Sequence, residues 1–499
     1  MTVAEASSRL RRVTEQLSLV EALAPRGVVE RVGDGVAFVA GLERVGYEEI
    51  VEFDGGARGF AFDLREHTTG VVLLDGGTQV AAGEGVRGTG RLPEVAVGSA
   101  TLGRVIDPLG RPLDDLEPLR DGVLPLFRPA PELIARKTVD EPLWTGVAVL
   151  DAAVPIGRGQ RELVLGDRNV GKTALALDVI SAQRHGDVVC VYVVIAQPMS
   201  RVLGLREALR QRGCLANTVV VAADAAASPG MRYLAPHAGA SVAEWFRDRG
   251  GHALVVYDDL TKHADAYREL ALLLDRPPGR EAYPGDVFYL HAELLERAAA
   301  RRPEAGGGSV TALPIVETTE GDLASYIPTN VISITDGQIH LDTGRFERNE
   351  RPAVDVGRSV SRIGGAAQPP VMRRVASDLR VSLARFEQLE ALVRVGLEID
   401  AEVERELTRG RLLRALLRQG QAVPRGIAEQ VVGLVAVGEG WLDRVPADAV
   451  TRVVGRLLER ARVRQAEIVA ALDAGQVPPD GWEKLLGAIA AEDAAPEGP

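Results

Sequence analysis

The sequence predicts a multidomain protein with an N-terminal β-barrel, a central α/β domain and a C-terminal α-helical bundle. Short alternating strands broken by Asp-Gly pairs occupy 26–94, strand and helix patterns alternate over 95–372, and strand patterns are absent from 373–490. A protein of 499 residues also exceeds what one hydrophobic core usually serves.

Residues 1–25 are expected to form a short helix ahead of the barrel. Leu10, Val13, Leu17 and Val20 recur at helical spacing, and Pro25 ends the run.

The barrel is predicted from its turn residues. Within 26–94, three Asp-Gly pairs separate short alternating runs, and each pair can supply the positive φ of a tight hairpin turn. The pairs are Asp34-Gly35, Asp54-Gly55 and Asp75-Gly76.

The central domain is predicted as a mostly parallel sheet with helices on both faces, because strands and helices alternate along it. Strand patterns occupy 161–166, 188–196, 217–223 and 252–259, and helical patterns occupy 173–183, 200–212 and 231–249.

The C-terminal bundle is predicted from helical periodicity over 373–490. Its first helix places Leu379, Leu383, Phe386, Leu389 and Leu392 on one face, and further helical patterns cover 402–418, 425–437 and 447–473. The acidic, small residues of 491–499 are expected to form a disordered tail.

Composition disfavours several classes of protein. With 58 basic and 70 acidic residues the net charge is −12, which argues against a nucleic-acid binder. Two cysteines cannot build a disulfide framework or a cysteine-rich zinc site. No apolar run approaches the roughly 20 residues of a membrane-spanning helix, so we expect contact with a membrane only through partners.

The strongest motif is GDRNVGKT at 166–173, a phosphate-binding P-loop placed between a predicted strand and a predicted helix. It marks the central part as a P-loop (RecA-like) domain. Backbone N–H groups of such a loop surround a phosphate, and its lysine contacts the outer phosphates. The predicted nucleotide-binding residues of the loop are Gly166, Asp167, Arg168, Asn169, Val170, Gly171, Lys172 and Thr173.

A magnesium site is predicted beside the loop. The Thr173 hydroxyl suits the Mg²⁺ that bridges nucleotide phosphates, and the strand HALVVYDD ends in Asp258, which suits a carboxylate holding that ion. Asp259 is the weaker candidate. The expected ligand is therefore ATP or ADP with Mg²⁺.

Two other patterns carry little weight. GEGVRG at 83–88 has the glycine spacing of a dinucleotide site, but no helix pattern follows it, so we interpret it as a barrel turn. The seven histidines lack paired metal-ligand spacing.

Several long blocks of the sequence resemble the α subunits of F-type ATP synthases. They include GDRNVGKTALALD, WFRDRGGHALVVYDDLTKH, GREAYPGDVFYLH, SVTALPIVETTEGDLASYIPTNVISITDGQIHLDT and GRSVSRIGGAAQ, and the resemblance extends over nearly the whole protein.

The resemblance implies a partner set. It implies an alternating ring of three α and three β subunits, a central stalk γ subunit, and peripheral stalk subunits contacted through the N-terminal region. A proton- or sodium-conducting membrane sector would be contacted indirectly, and no nucleic acid is implied. The location implied is peripheral, on the cytoplasmic face of the bacterial plasma membrane.

The resemblance also implies a non-catalytic, regulatory role. In the catalytic β subunits of this family a glutamate follows the strand after the P-loop, whereas this protein has Gln197, which is still expected to contact the bound nucleotide. An amide does not accept a proton at neutral pH, so this protein is expected to bind nucleotide but hydrolyse it poorly or not at all. Asn169-Val170 replaces the usual Gln-Thr of the loop, and Pro198 departs from the family pattern.

Four further residues are carried over by the resemblance. Arg362 matches an arginine that reaches the catalytic site of the neighbouring β subunit, and Ser359 matches a serine needed for activity. Gln419 and Gln421 match glutamines near the adenine. A guanidinium suits the charge of a transferring phosphoryl group.

Two alternatives remain open from the residues alone. One is an autonomous hexameric P-loop ATPase, such as a protein-export ATPase, and the other is an RNA-translocating hexamer resembling the terminator Rho. Gln197 weighs against autonomous hydrolysis, and the acidic charge balance weighs against RNA.

Overall fold

The structure, a computed structural model, describes residues 25–75, 79–119, 121–394 and 400–494. It has the predicted architecture of a barrel, an α/β domain and a helical bundle. The helix expected over 1–25 lies outside the described residues, apart from Pro25. None of the helices in the described ranges has the length and apolarity needed to cross a bilayer.

Six antiparallel strands close the barrel in the order β1-β2-β5-β4-β3-β6. The strands are β1 (Arg26–Gly33), β2 (Val36–Ala40), β3 (Ile50–Phe53), β4 (Arg58–Leu64), β5 (Thr68–Asp75) and β6 (Gly85–Gly88). Alternate residues of β4 face opposite ways, because side chains alternate along a strand. Ala61 packs in the barrel interior, while Phe60 and Phe62 pack against the central domain.

The hairpin turns agree with the sequence in part. Asp34 and Gly35 both have positive φ, 50° and 92°, as a two-residue turn between β1 and β2 requires. In the loop between β3 and β4 the positive φ falls on Gly56, at 87°, and not on Gly55. That loop is four residues long, which moves the left-handed position one residue further along. Gly76 lies outside the described residues.

An eight-stranded sheet forms the central domain, in the order β18-β17-β12-β16-β15-β13-β14-β8, and all its pairs are parallel except β17 with β18. The strands after the barrel are β7 (Glu94–Ala96), β8 (Val105–Ile106), β9 (Val123–Pro125), β10 (Pro142–Leu143), β11 (Ile156–Gly157), β12 (Glu162–Gly166), β13 (Val188–Gln197), β14 (Thr218–Asp224), β15 (His252–Asp258), β16 (Ser309–Glu317), β17 (Gly337–Leu341) and β18 (Val360–Ser361).

Helices cover both faces of this sheet. They are α1 (Ala148–Ala153), α2 (Lys172–Ala182), α3 (Met199–Gln211), α4 (Pro229–Arg247), α5 (Leu260–Leu273), α6 (Val287–Glu296), α7 (Tyr326–Ile334), α8 (Thr343–Glu347) and α9 (Pro370–Val375). On β13, Val191 and Val193 share a core with α4 and α5, whereas Tyr192 and Val194 share a core with α2 and α3. Burial on both faces explains why β13 is apolar along most of its length.

Six helices form the bundle in the described part of the C-terminal region. They are α10 (Leu379–Arg394), α11 (Ala401–Leu417), α12 (Ile427–Gly438), α13 (Val450–Arg464), α14 (Ala466–Asp473) and α15 (Trp482–Ala494). The helical pattern of 447–473 is divided at Gln465, whose φ of −137° is not helical.

The last helix differs from the sequence expectation. It continues to Ala494, into the segment expected to be a disordered tail. Burial of Trp482, Leu486 and Ile489 anchors the helix on the bundle, so its hydrogen-bonded turns extend beyond the last apolar contact. Residues 495–499 lie outside the described part.

A buried carboxylate joins the bundle to the central domain. Asp151 on α1 accepts hydrogen bonds from the Thr145 backbone N–H and hydroxyl, and from the Gln430 side chain on α12. Burial raises the pKa of Asp151 to about 6. Since these donors come from both domains, the contact fixes the bundle against α1.

Three buried histidines form a cluster between α4, α5 and α6. The ring centroids of His237 and His263 are 5.9 Å apart, and those of His263 and His291 are 5.5 Å apart. Four of their ring nitrogens have no hydrogen-bond partner among the described residues. Burial lowers the pKa of all three, to about 3 for His237 and about 4 for His291. The fold therefore accommodates these rings in the neutral form.

We expect acid to destabilise the fold through this cluster. The pKa of His237 falls from its ordinary 6.5 to about 3 on folding. Between these two pKa values the unfolded state binds a proton more readily than the folded state. The free energy of unfolding is therefore highest above pH 6.5, and it falls as the pH is lowered towards the folded pKa. At pH 5 the loss from His237 is about 2 kcal/mol.

The measurement is the midpoint of thermal unfolding, Tm, at pH 7 and pH 5. His237→Phe should lose less Tm on acidification than the wild-type protein. The matched control His67→Phe changes an exposed ring and should follow the wild type. An equal loss of Tm in all three proteins would contradict the expectation.

Candidate functional site

The P-loop lies at the carboxyl end of β12 and leads directly into α2. Gly171, at a φ of 100°, is the N-cap of α2 and presents no side chain there. Asn169 also has a positive φ, 63°, which asparagine tolerates better than most residues. The backbone N–H groups at this helix N-terminus are therefore open to an anion.

Lys172 is folded back onto the loop. Its Nζ donates to the carbonyl oxygens of Gly166 at 2.7 Å and Asp167 at 2.5 Å, and the side chain is buried. Burial lowers the pKa of Lys172, and the carboxylates of Glu317, Asp259, Asp258 and Asp167 oppose that shift. The amine is thus held inside the loop, where a phosphate would lie.

Asp167 ties the loop to the neighbouring segments and does not line the cavity. Its carboxylate accepts hydrogen bonds from the Thr318 hydroxyl at 2.6 Å, the Gly321 backbone N–H at 2.9 Å and the Thr343 hydroxyl at 3.1 Å. Burial alone would raise the pKa of Asp167, but these donors outweigh it and the pKa is lowered. The residue serves the shape of the loop.

Thr173 and Asp258 meet as the sequence predicts. The Thr173 hydroxyl donates to Asp258 Oδ2 at 3.0 Å, and the Tyr192 hydroxyl donates to the same oxygen at 2.7 Å. Burial and the charge of Asp258 raise the pKa of Tyr192, so it remains a donor. The parallel sheet makes this meeting possible, because β12, β13 and β15 end at the same edge.

Asp259 has a different task from Asp258. Its carboxylate accepts from the Lys262 backbone N–H at 2.8 Å and caps α5. Burial, with the negative charge of Asp258, raises the pKa of Asp259 to about 6. This supports the preference for Asp258 as the metal-side carboxylate.

A cavity of about 1110 Å³ opens in front of the loop. Its size is ample for a nucleotide. Of the predicted residues it is lined by Arg168, Asn169, Gly171, Lys172, Thr173, Gln197, Asp258 and Gln421. Gly166, Asp167, Val170 and Gln419 do not line it.

Gln197 lies at the end of β13, with its side chain on the cavity wall. The preceding residue, Ala196, has a φ of 51°, and the pairing of β13 with β14 shifts register there. This bulge turns the strand end, and Pro198 then begins the entry into α3. The Gln197 amide donates to the Asp258 carbonyl oxygen at 3.2 Å.

Each carboxylate among the described residues that line the cavity has a partner in the structure. Asp258 accepts from Thr173 and Tyr192, Asp259 caps α5, and Glu317 forms an ion pair with Arg168. The Arg168 side chain is 75% exposed, so this last pair contributes little stability. None of these three carboxylates belongs to the end of β13, where the cavity wall carries the Gln197 amide instead.

The two predicted glutamines separate in the structure. Gln421 lines the cavity. The Gln419 amide instead donates to the carbonyl oxygens of Gly146 at 2.7 Å and Val423 at 2.6 Å, and accepts from the Ala148 backbone N–H at 3.1 Å. Gln419 thus holds the segment that carries Gln421 against α1.

Ser359 is fully buried and Arg362 is exposed. The Ser359 hydroxyl donates to the Asp355 carbonyl oxygen at 2.6 Å and accepts from the His340 backbone N–H at 2.9 Å. Arg362 is fixed through its backbone N–H, which donates to the Asp336 carbonyl oxygen at 2.9 Å. Ser359 therefore positions the segment, and the Arg362 side chain lies outside the P-loop cavity.

Sequence reasoning missed a buried polar network beneath this segment. Glu162 on β12 is fully buried, and its Oε2 accepts from the Gln160 amide at 2.7 Å. The same amide lies 3.2 Å from the Ser361 hydroxyl oxygen. Burial raises the pKa of Glu162 well above its usual range, while the charge of Arg362 opposes that shift. A glutamate inside the apolar strand RELVLG was the available signal.

The fold and the cavity define a P-loop nucleotide-binding protein with a barrel before and a helical bundle after its central domain. The family model of the ATP synthase alpha/beta nucleotide-binding domain matches residues 146–361, and the model of the C-terminal domain of ATP synthase alpha/beta chains matches residues 368–492. The protein belongs to the ATP synthase alpha/beta family.

Relatives named as alpha subunits match most of the sequence. ATP synthase subunit alpha 2 of Burkholderia thailandensis is 55% identical over 432 residues, covering 86% of this protein and 78% of the relative. ATP synthase subunit alpha 1 of Paraburkholderia xenovorans is 52% identical over 435 residues, covering 87% and 85%. ATP synthase subunit alpha 2 of Burkholderia pseudomallei is 51% identical over 476 residues, covering 95% and 71%. The resemblance inferred from the sequence is confirmed, and neither alternative class is favoured.

Substitution of the two glutamines should have different consequences. Gln419→Ala removes three hydrogen bonds to the backbone and should lower the free energy of unfolding by about 2 kcal/mol, seen as a fall of roughly 2 °C in Tm. Gln421→Ala should leave Tm nearly unchanged and weaken nucleotide binding in a titration with a fluorescent ATP analogue. The assignment is wrong if Gln421→Ala is the variant that loses Tm.

Proposed function

We propose that this protein is the non-catalytic, nucleotide-binding regulatory α subunit of an F-type rotary ATP synthase. The observation that carries the proposal is the Gln197 amide on the cavity wall, at a strand end where hydrolysis would need a carboxylate. A general base has to accept a proton from the attacking water, and an amide does not. The subunit then binds ATP or ADP without turning it over.

Lys172, Thr173 and Asp258 would hold the nucleotide with its metal ion. Mg²⁺ prefers oxygen ligands, and the Thr173 hydroxyl and Asp258 carboxylate lie 3.0 Å apart at the mouth of the loop. The residues present therefore fit Mg²⁺. When bound, the ion neutralises charge on the outer phosphates. On nucleotide binding, the Lys172 amine would replace its hydrogen bonds to two carbonyl oxygens with hydrogen bonds to phosphate oxygens.

Arg362 would act at the site of a neighbouring β subunit. Its side chain is exposed and lies outside its own cavity, while hydrogen bonds of Ser359 and Ser361 fix the backbone just before it. A guanidinium fork can stabilise the charge that spreads over a transferring phosphoryl group. Ser359 contributes by positioning.

The remaining partners follow from the α-subunit role. We infer an alternating ring with three β subunits, a central γ stalk, and peripheral stalk subunits bound by the N-terminal region. The complex would couple ATP synthesis or hydrolysis to proton or sodium transport through a membrane sector. The subunit would lie on the cytoplasmic face of the bacterial plasma membrane.

Asp258→Asn should weaken nucleotide binding only when Mg²⁺ is present. We expect about a tenfold loss of affinity for ATP with Mg²⁺ and little change in EDTA, because the variant loses a charged metal-side ligand. Lys172→Gln should weaken binding under both conditions, because the lysine contacts phosphate directly. Equal losses for Asp258→Asn with and without Mg²⁺ would contradict its metal-side role. Both affinities are measured by equilibrium titration of the full-length protein.

Arg362→Ala should abolish turnover in the assembled complex while nucleotide binding to this subunit persists. Loss of a guanidinium that contacts the transition state costs roughly 10³-fold or more in kcat. Arg358→Ala, an exposed arginine in the same segment, is the matched control and should retain most activity. Near-normal hydrolysis by the Arg362→Ala complex would refute the role in trans.

A further inference from the structure

A second cavity lies where the central domain meets the helical bundle. Its volume is about 400 Å³, and it shares no lining residue with the P-loop cavity. α8 and the segment after it line one side, and α10 and α11 line the other. We name it the arginine cavity after its lining arginines, which are Arg345, Arg348, Arg351, Arg411, Arg414 and Arg418.

Three of these arginines are balanced by carboxylates. Arg345 pairs with Glu350 at 3.0 Å and also with Glu387. Arg348 pairs with Glu350 at 3.3 Å, and Arg414 pairs with Glu390 at 2.9 Å. Glu350 and Glu387 are the acidic residues among the described lining of the cavity, and these pairs already engage both.

The other three guanidinium groups are not balanced. Arg351, Arg411 and Arg418 are exposed, and their side chains form no ion pair or hydrogen bond with any residue in the described ranges. Arg351 only lies over the Phe346 ring, 4.6 Å from its centroid. Three like charges around one cavity repel each other, and an anion between them would relieve that repulsion.

The floor of the same cavity is apolar. It is lined by the buried side chains of Val149, Val354, Val356, Leu383 and Leu417. A bare inorganic anion would leave this surface in contact with water, whereas an organic anion would cover it. The lining therefore matches a ligand with an acidic group at one end and an apolar body at the other.

We propose that the arginine cavity binds a small organic anion that has an apolar or aromatic body and a carboxylate, sulfonate or phosphate group. Arginine binds such groups with two parallel N–H donors, and a volume of about 400 Å³ accommodates a body of one to three rings. The proposal does not rest on the proposed nucleotide function, because the two cavities share no lining residue.

The cavity is also linked to the nucleotide site by a short segment. Arg418 lines the arginine cavity, and Gln421 lines the P-loop cavity. Between them, the Gln419 backbone N–H donates to the Arg351 carbonyl oxygen at 2.8 Å. An occupant held by the Arg351 and Arg418 side chains would therefore lie beside the hydrogen bond between Gln419 and Arg351.

The test is a fluorescence titration of the full-length protein with anilinonaphthalene sulfonate, an aromatic sulfonate. We expect saturable binding of about one equivalent that saturating MgATP does not displace. Arg411→Gln combined with Arg418→Gln should raise the dissociation constant about tenfold, as expected when charge-assisted hydrogen bonds are lost. The matched control, Arg405→Gln with Arg409→Gln, makes the same charge change elsewhere on α11 and should bind like the wild type.

A neutral probe separates the anion from its apolar body. Phenylnaphthylamine lacks the sulfonate, so it should bind more weakly than the anionic probe and should not distinguish the two double variants. If the first double variant fails to fold, Arg418→Gln alone carries the comparison, with Arg405→Gln as its control. Equal sulfonate affinity in variant and control, or displacement by MgATP, would overturn the proposal.

Discussion

The hydrogen bond from Thr173 to Asp258 is the contact on which the rest of the nucleotide site depends. It joins the first turn of α2 to the end of β15, two strands away from β12 in the sheet. The contact forms because parallel strands end at a common edge, and the buried Tyr192 hydroxyl holds the carboxylate through a second hydrogen bond. A phosphate held by the loop and a metal ion held by the carboxylate are thereby placed next to each other.

In the proposed function, a single residue at that edge separates nucleotide binding from turnover. Gln197 occupies the end of β13, where a glutamate could accept a proton, and its amide donates to the Asp258 carbonyl oxygen. A polar framework around Ser359, Ser361 and Glu162 presents Arg362 outside its own cavity. The proposed division of labour, with nucleotide held in one subunit and an arginine offered to the next, follows from this arrangement.

The sequence predicted what depends on short, contiguous patterns. The P-loop residues, the Thr173–Asp258 meeting and the order of strands and helices follow from local spacing and from the geometry of parallel sheets. The roles of Gln419 and Glu162 could not be predicted, because only the fold brings their partners close. Gln419 contacts Gly146 and Ala148, and Glu162 is linked to Ser361 through the Gln160 amide. Hydrophobic periodicity also does not predict the backbone conformation of single residues, such as the positive φ at Gly56 and the helix break at Gln465.

Steady-state hydrolysis by the purified protein, in the absence of any other subunit, tests the central claim most directly. With nucleotide occupancy verified in the same sample by titration, we expect about one bound nucleotide and no turnover above the background hydrolysis of MgATP. Sustained hydrolysis at ordinary enzyme rates, about 1–10³ s⁻¹, would contradict the non-catalytic role. It would mean that the water is activated although position 197 carries an amide and not a carboxylate.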